Sequence, residues 1–145
     1  NDRASLRQNA VRNRALTDLM EPGSTVKPFT ILAALESGLF ELDSVIETSP
    51  GYLKVDYKTF VDPVDYGQLN LAGVLKKSSQ VGTTKLALAM DPQLTRDLFE
   101  RVGFGEVVGS GFPGGTMGRL PAYQTWDIVF LCIANCFIYH FIRSQ

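Results

Sequence analysis

The sequence predicts a helix-rich globular fold with little that could build a sheet, and three observations support this prediction. The content of 45% hydrophobic and 20% charged residues is that of an ordinary globular protein. Apolar segments flanked by helix start and stop residues occur at four places. The stretch from 39 to 69 instead holds short extended pieces between turn formers such as Ser-Pro-Gly and Asp-Pro. At 145 residues the chain is one domain at most.

The first three predicted helices follow from local signals. The first comes after a Pro-Gly break, where Ser24 or Thr25 can act as the N-cap, and Gly38 supplies its stop. A second helix is predicted over residues 70–77. A third begins just after Gln80 and carries a largely apolar run.

The clearest boundary in the chain opens the fourth predicted helix. Asp91 can cap it, Pro92 suits the first helical position, and Gly103 ends it. Three apolar residues are expected to line one face of this helix: Leu94, Leu98 and Val102. The segment 103–121 holds seven glycines and two prolines, which predicts a loop.

Charge and the two chain ends exclude several function classes. The 14 basic and 15 acidic residues give a net charge of −1, which indicates neither nucleic acid nor an anionic membrane as partner. Four arginines within the first fourteen residues are interpreted as a solvated strand edge rather than a basic arm. The N-terminus lacks the apolar core of a secretory signal. We interpret the first residues as lying within a domain and not at its beginning.

Near the C-terminus, fifteen consecutive residues from Ile128 to Ile142 carry no charged side chain. This run is shorter than the roughly 20 residues of a spanning helix, so we interpret it as a buried segment. Cys132, Cys136 and His140 recur there at four-residue spacing. On a helix the outer two would lie about 12 Å apart, too far to share one ion, so no metal site is predicted.

Ser24-Thr25-Val26-Lys27 is an S-x-x-K element at the start of a predicted helix. Serine is a weak nucleophile until a base takes its proton, and three residues along a helix bring Lys27 within reach of Ser24. Free N–H groups of the first turn would stabilise an oxyanion there. The alternative is an ordinary capped helix whose Lys27 is solvated, because serine and lysine are common residues.

Ser78-Ser79-Gln80 places an amide two residues after a serine. This spacing is that of the partner element in penicillin-interactive serine enzymes. The alternative interpretation is a polar turn between two helices.

Residues 109–114 formally match the dinucleotide fingerprint G-x-G-x-x-G. That fingerprint needs a helix after it, and Pro113 with the following glycines cannot open one, so nucleotide binding is not predicted.

Three stretches together resemble the class B penicillin-binding proteins. They are RNRALTDLMEPGSTVKPFTILAALESG, LNLAGVLKKSSQVGTTKLALAM, and VGFGEVVGSGFPGGTMGRLP followed by Trp126 and Asp127. The resemblance covers residues 12–128 in the order the family uses, and its nearest branch is the division-septum transpeptidase. It implies the α+β penicillin-binding protein and β-lactamase-like fold, of which this chain holds the N-terminal, mainly helical portion.

The resemblance also implies roles for four residues in peptidoglycan D,D-transpeptidation. Ser24 would be the acylated nucleophile, with its own N–H as half of the oxyanion hole, and Lys27 would be the base. Ser78 would relay a proton, and Gln80 would hold the substrate amide. Stem peptides and β-lactams would be the ligands, with no cofactor, no metal and no nucleic acid. The parent protein would act outside the cytoplasmic membrane, on an N-terminal anchor and within a cell-division complex.

Three departures from the family pattern limit this expectation. Gln80 stands where the family has asparagine, and the Lys-Thr-Gly element of the family does not occur in the chain. Residues 129–145 diverge from the family, so we divide the chain into a partial transpeptidase domain at 1–128 and a divergent tail, for which a reading-frame shift is one hypothesis. We therefore expect weak or no acylation by this chain alone. A non-catalytic fragment and a β-lactam-binding sensor or hydrolase remain as alternatives.

Overall fold

The computed structural model describes residues 17–18, 22–106, 117–118 and 120. Within them, helices and short antiparallel strands follow one another along the chain. A 3-10 helix (Gly23–Val26) precedes the helices α1 (Lys27–Glu36), α2 (Leu71–Lys77), α3 (Gln80–Ala89) and α4 (Pro92–Arg101). None of the helices in these ranges is long and apolar enough to cross a membrane. The N-terminal arginines, the G-x-G-x-x-G text and the apolar tail with Cys132, Cys136 and His140 lie outside the described residues.

The start of α1 differs from the prediction. The 3-10 helix runs directly into α1, so Ser24 and Thr25 lie inside a helical turn rather than before it, and neither caps a helix. Thr25 Oγ1 instead donates to the Pro22 carbonyl at 2.5 Å. The predicted stop is confirmed, because Gly38 adopts φ +69°, a left-handed conformation that glycine reaches without steric cost.

The predicted N-cap of α4 is confirmed, and α2 has an N-cap at Asn70, which was predicted to lie inside the helix. Asn70 Oδ1 accepts the Gly73 N–H at 2.8 Å, and Asp91 Oδ1 accepts the Gln93 N–H at 2.9 Å. The predicted apolar face of α4 is correct at Leu98, which is 1% exposed, and wrong at Leu94 and Val102. Leu94 and Val102 are 42% and 44% exposed, whereas three residues at i, i+3 and i+4 spacing are buried: Thr95, Leu98 and Phe99.

Four short strands form two separate antiparallel pairs between α1 and α2. β1 (Val45–Glu47) pairs with β4 (Gln68–Asn70), which places Ile46 opposite Leu69. β2 (Tyr52–Val55) and β3 (Lys58–Val61) form a hairpin in which Leu53 lies opposite Phe60. The expectation of short extended pieces in this region is confirmed, and the combination of helices with antiparallel strands is of the α+β class.

The core consists of two apolar clusters in which α1 packs against α3 and α4. In the smaller cluster, Val26 and Phe60 are each 1% exposed and pack with Ala87 and Phe99. In the larger cluster, buried side chains from α1, β1 and the other three helices meet: Ile31, Ala33, Ala34, Ile46, Leu71, Val74, Leu86, Met90 and Leu98. The smaller cluster directly adjoins the lysine of the S-x-x-K element, because Val26 precedes Lys27 in the chain.

At Gly82, α3 leaves no room for a side chain beside α2. A β-carbon added there would lie 2.7 Å from Val74 Cγ2 and 3.1 Å from Ser79 Oγ. We expect Gly82→Ala to lower the free energy of unfolding by about 1–3 kcal/mol, despite the better helix propensity of alanine, because both neighbours are buried. Urea denaturation would measure this loss.

Gly73→Ala is the matched control, since its added carbon would meet side-chain atoms no closer than 3.2 Å. We expect a smaller loss from this variant than from Gly82→Ala. A Gly82→Ala protein as stable as the Gly73→Ala protein would contradict the tight fit of α3 on α2.

Candidate active site

Ser24 occupies the first helical turn at the N-terminal end of α1. Its side chain is exposed, and its carbonyl accepts the Lys27 N–H. The opening turns of a helix present N–H groups without intrahelical partners and carry the positive end of the helix dipole. An exposed hydroxyl at this point can therefore meet a substrate from solvent while developing negative charge is stabilised.

Lys27 lies one turn further on and is buried, with only 2% of the residue exposed. Its Nζ donates to the Ser78 carbonyl at 2.5 Å and to Ser78 Oγ at 3.0 Å. Among the described residues, its ammonium group makes no hydrogen bond to Ser24. The structure thus connects the S-x-x-K element to the Ser78 element, 51 residues later in the chain.

Burial lowers the pKa of Lys27 from its ordinary value, because a low-dielectric surrounding disfavours the ammonium form. The Asp62 carboxylate acts in the opposite direction and raises the pKa of this lysine, but burial is the larger effect. A lysine with a lowered pKa can exist as the free amine nearer to neutral pH, which a general base requires.

Ser78 has an unusual backbone conformation at the junction of α2 and α3. It is the C-cap of α2 with φ 53° and ψ 37°, the left-handed region that non-glycine residues rarely enter. Its N–H donates to the Leu75 carbonyl at 3.0 Å. This turn directs both the carbonyl and the hydroxyl of Ser78 at Lys27, and strained backbone of this kind is concentrated at functional sites.

Gln80 is the first residue of α3 and is half-buried. Its N–H donates to Asp62 Oδ1 at 2.6 Å, and its carbonyl accepts the Thr84 hydroxyl at 2.6 Å. Ser79, between Ser78 and Gln80, is fully buried and caps α3 by accepting the Gly82 N–H. The backbone on both sides of Gln80 is thereby fixed.

Sequence reasoning missed Asp62, which is buried beside these residues at 4% exposure. The Asp-Pro pair was interpreted only as a turn signal. No local pattern relates Asp62 to Ser79, whose hydroxyl donates to its Oδ2 at 2.5 Å across 17 residues of chain. Within the described residues, no group of three or more His, Cys, Asp or Glu could hold a metal ion.

An exposed serine, a buried lysine one turn later and a second serine bonded to that lysine form the arrangement expected of a serine acyl-transfer centre of the S-x-x-K type. The family model of the penicillin-binding protein transpeptidase domain matches residues 1–134. The chain therefore belongs to the penicillin-binding protein transpeptidase family, as its sequence predicts.

Two curated relatives illustrate the similarity. The probable peptidoglycan D,D-transpeptidase PbpC of Pseudomonas aeruginosa is 42% identical over 127 residues, which are 88% of this chain and 22% of that protein. The peptidoglycan D,D-transpeptidase FtsI of Escherichia coli (strain K12) is 41% identical over 120 residues, 83% of this chain and 20% of that protein. The chain thus spans about a fifth of the length of these relatives.

Among solved structures, the chain is similar to the apo TP domain of Burkholderia pseudomallei penicillin-binding protein 3. The TM-score is 0.81 at 34% identity, and the match covers 86% of this chain and 38% of that one. The predicted α+β transpeptidase fold is confirmed by this likeness. The division of the chain at residue 128 and the roles of the four site residues stay predictions.

Proposed function

We propose that this chain carries the nucleophile half of a peptidoglycan D,D-transpeptidase site, with Ser24 as the acylated residue. One observation carries the proposal: the buried Lys27 amine contacts Ser78 Oγ at 3.0 Å, one helical turn from the exposed Ser24. A buried cation costs stability, and a role as base next to a proton relay explains why a lysine occupies this position despite that cost.

The proposed acylation assigns one step to each residue. Neutral Lys27 accepts the Ser24 hydroxyl proton while Ser24 Oγ bonds to the penultimate D-alanine carbonyl of a stem peptide. The N–H of Ser24 and the field at the start of α1 stabilise the oxyanion. The tetrahedral intermediate then collapses, and the Lys27 proton passes through the Ser78 hydroxyl to the departing nitrogen of the terminal D-alanine.

Deacylation reverses the same proton path. The amine of a second stem peptide attacks the Ser24 ester and forms the cross-linking amide. Its proton passes back through Ser78 and Lys27, and Ser24 regains its hydroxyl. Gln80 would orient the substrate amide, as the asparagine of the family does. A β-lactam acylates Ser24 by the acylation step alone, because its strained amide takes the place of the D-alanine peptide bond.

The compartment and partners follow from the same proposal. Stem peptides are extracytoplasmic, so a parent protein with this site would present it outside the cytoplasmic membrane, held by an anchor. A role in a cell-division complex is part of the proposal, because the sequence resembles the division-septum branch of the family.

A chimera tests the proposal with a complete site. In it, residues 22–106 of this chain replace the corresponding segment of Escherichia coli FtsI, so that the relative supplies the remaining elements. We expect fluorescent penicillin to label the chimera covalently, as seen after denaturing electrophoresis, and Ser24→Ala to remove the label completely. The 145-residue chain itself should label weakly or not at all.

Two controls make the result specific. Thr25→Ala removes the neighbouring exposed hydroxyl and should leave labelling intact. Turnover of nitrocefin by the chimera would indicate a hydrolase instead. A folded chimera that is labelled equally with and without Ser24, or not labelled at all while FtsI is, would overturn the proposal.

A further inference from the structure

Asp62 is a buried carboxylate that the proposed reaction does not use. It follows β3 directly, and its N–H donates to the Gly51 carbonyl at 2.8 Å. A carboxylate that is removed from water is costly unless charges or hydrogen bonds compensate it. An aspartate that is only 4% exposed is therefore expected to have hydrogen-bond partners or a nearby positive charge.

The Asp62 carboxylate accepts hydrogen bonds from residues at the start of α3. Oδ2 accepts the Ser79 hydroxyl at 2.5 Å, and Oδ1 accepts the N–H groups of Gln80 at 2.6 Å and Val81 at 3.3 Å. Charge-assisted bonds to helix N-terminal N–H groups are among the stronger hydrogen bonds in proteins. Asp62 therefore ties the end of β3 to the turn that carries Ser78 and Gln80.

The same carboxylate is the charged group that acts on the buried Lys27, whose pKa it raises against the effect of burial. Of the other ionisable side chains on the described elements around α1, Lys76 is exposed to solvent and several are engaged elsewhere. Glu36 pairs with Arg101, Arg96 pairs with Glu100, Lys85 donates to the Glu47 carbonyl, and Lys58 and Lys77 lie over the rings of Phe60 and Tyr66.

We propose that Asp62 is a positioning residue of the acylation site: its carboxylate fixes the start of α3 and supplies a buried negative charge to Lys27. The two effects come from one group because Oδ1 and Oδ2 bond to consecutive residues of the turn that contacts Lys27. This inference rests on the proposed function for the assignment of Lys27 as base.

The two effects can be separated by substitution. Asp62→Asn keeps an oxygen to accept the Gln80 and Val81 N–H groups but removes the charge. Burial of Lys27 is then unopposed, so its pKa falls further and the free amine forms at lower pH. Asp65→Asn is the matched control, because it removes the same charge from an exposed carboxylate of the same segment, bonded to Ser49 and Gly67.

The experiment is a pH titration of the 145-residue chain labelled with ¹³C-lysine, followed by NMR at the Lys27 side chain. We expect Asp62→Asn to lower the Lys27 midpoint by about one pH unit, as is usual for loss of a nearby opposite charge, and Asp65→Asn to leave it unchanged. An unchanged midpoint in folded Asp62→Asn, or an equal fall in Asp65→Asn, would overturn the inference.

A second measurement on the unmodified chain covers the case in which Asp62→Asn does not fold. The carboxyl ¹³C resonance of Asp62 should shift at the same midpoint as Lys27, because deprotonation of Lys27 removes the positive charge with which this carboxylate interacts. A carboxyl resonance that ignores this midpoint would refute the coupling. Neither readout requires acylation, so a failure of the chimera to bind penicillin and a failure of this inference are distinguishable.

Discussion

Replacement of Lys27 by methionine in the chimera is expected to slow acylation by penicillin by about 10²–10⁴-fold, the usual contribution of a general base. Methionine fills the buried space with an apolar side chain of similar length, so the fold should persist. The loss follows from the missing proton acceptor and from the broken contact with Ser78. Stopped-flow or gel-based rates of labelling would measure it.

Two matched variants test whether Lys27 accepts a proton as a general base or only provides a positive charge. Lys27→Arg keeps a cation that cannot be deprotonated and should therefore be as slow as Lys27→Met. Lys76→Met removes an exposed lysine from α2 and should label normally. A rapid Lys27→Arg chimera would mean that Lys27 is an electrostatic group and not the base.

The same methionine variant has a signature in stability against pH. Burial lowers the pKa of Lys27 in the fold, so the unfolded chain binds more protons between that lowered pKa and about 10.4. The free energy of unfolding of the unmodified protein, relative to Lys27→Met, should therefore rise with pH across this window. Below the lowered pKa the ammonium form is buried and the penalty is fully present.

Features set by neighbouring residues were predictable from the sequence. Asp91 caps the helix that it was expected to cap, and Gly38 and Gly103 adopt positive φ where helices were expected to end. Each of these signals acts within one helical turn. The N-cap prediction failed at Ser24 because the 3-10 helix continues into α1, a choice that the packing of Val26 in the core favours.

Features that depend on contacts distant in sequence were not predictable in the same way. The family resemblance implied a functional link between Lys27 and Ser78, but spacing alone could not indicate a contact across 51 residues. Asp62 carries no motif, and its importance depends on the fold of β3 beside α3. The buried side of α4 likewise depends on which helices pack against it, so Thr95 and Phe99 replaced the expected Leu94 and Val102.

The second large effect is expected at Ser78, where stability and activity should respond in different ways. Ser78→Gly and Ser78→Ala both remove the hydroxyl that contacts Lys27, so both should slow acylation by about 10²–10⁴-fold. They differ in the backbone, because Ser78 has φ 53°. Glycine adopts this conformation without the steric cost that alanine pays.

We therefore expect Ser78→Gly to be about 1 kcal/mol more stable than Ser78→Ala, although glycine loses more backbone entropy on folding. Urea denaturation of the two chimeras measures this difference, and penicillin labelling measures their common loss of rate. Equal stability would mean that the left-handed turn is not strained. Faster labelling by one variant would mean that the backbone geometry, rather than the hydroxyl, limits acylation. Retention of serine at a position where glycine fits better is explained if the hydroxyl is needed for proton transfer, since strain is tolerated where function requires it.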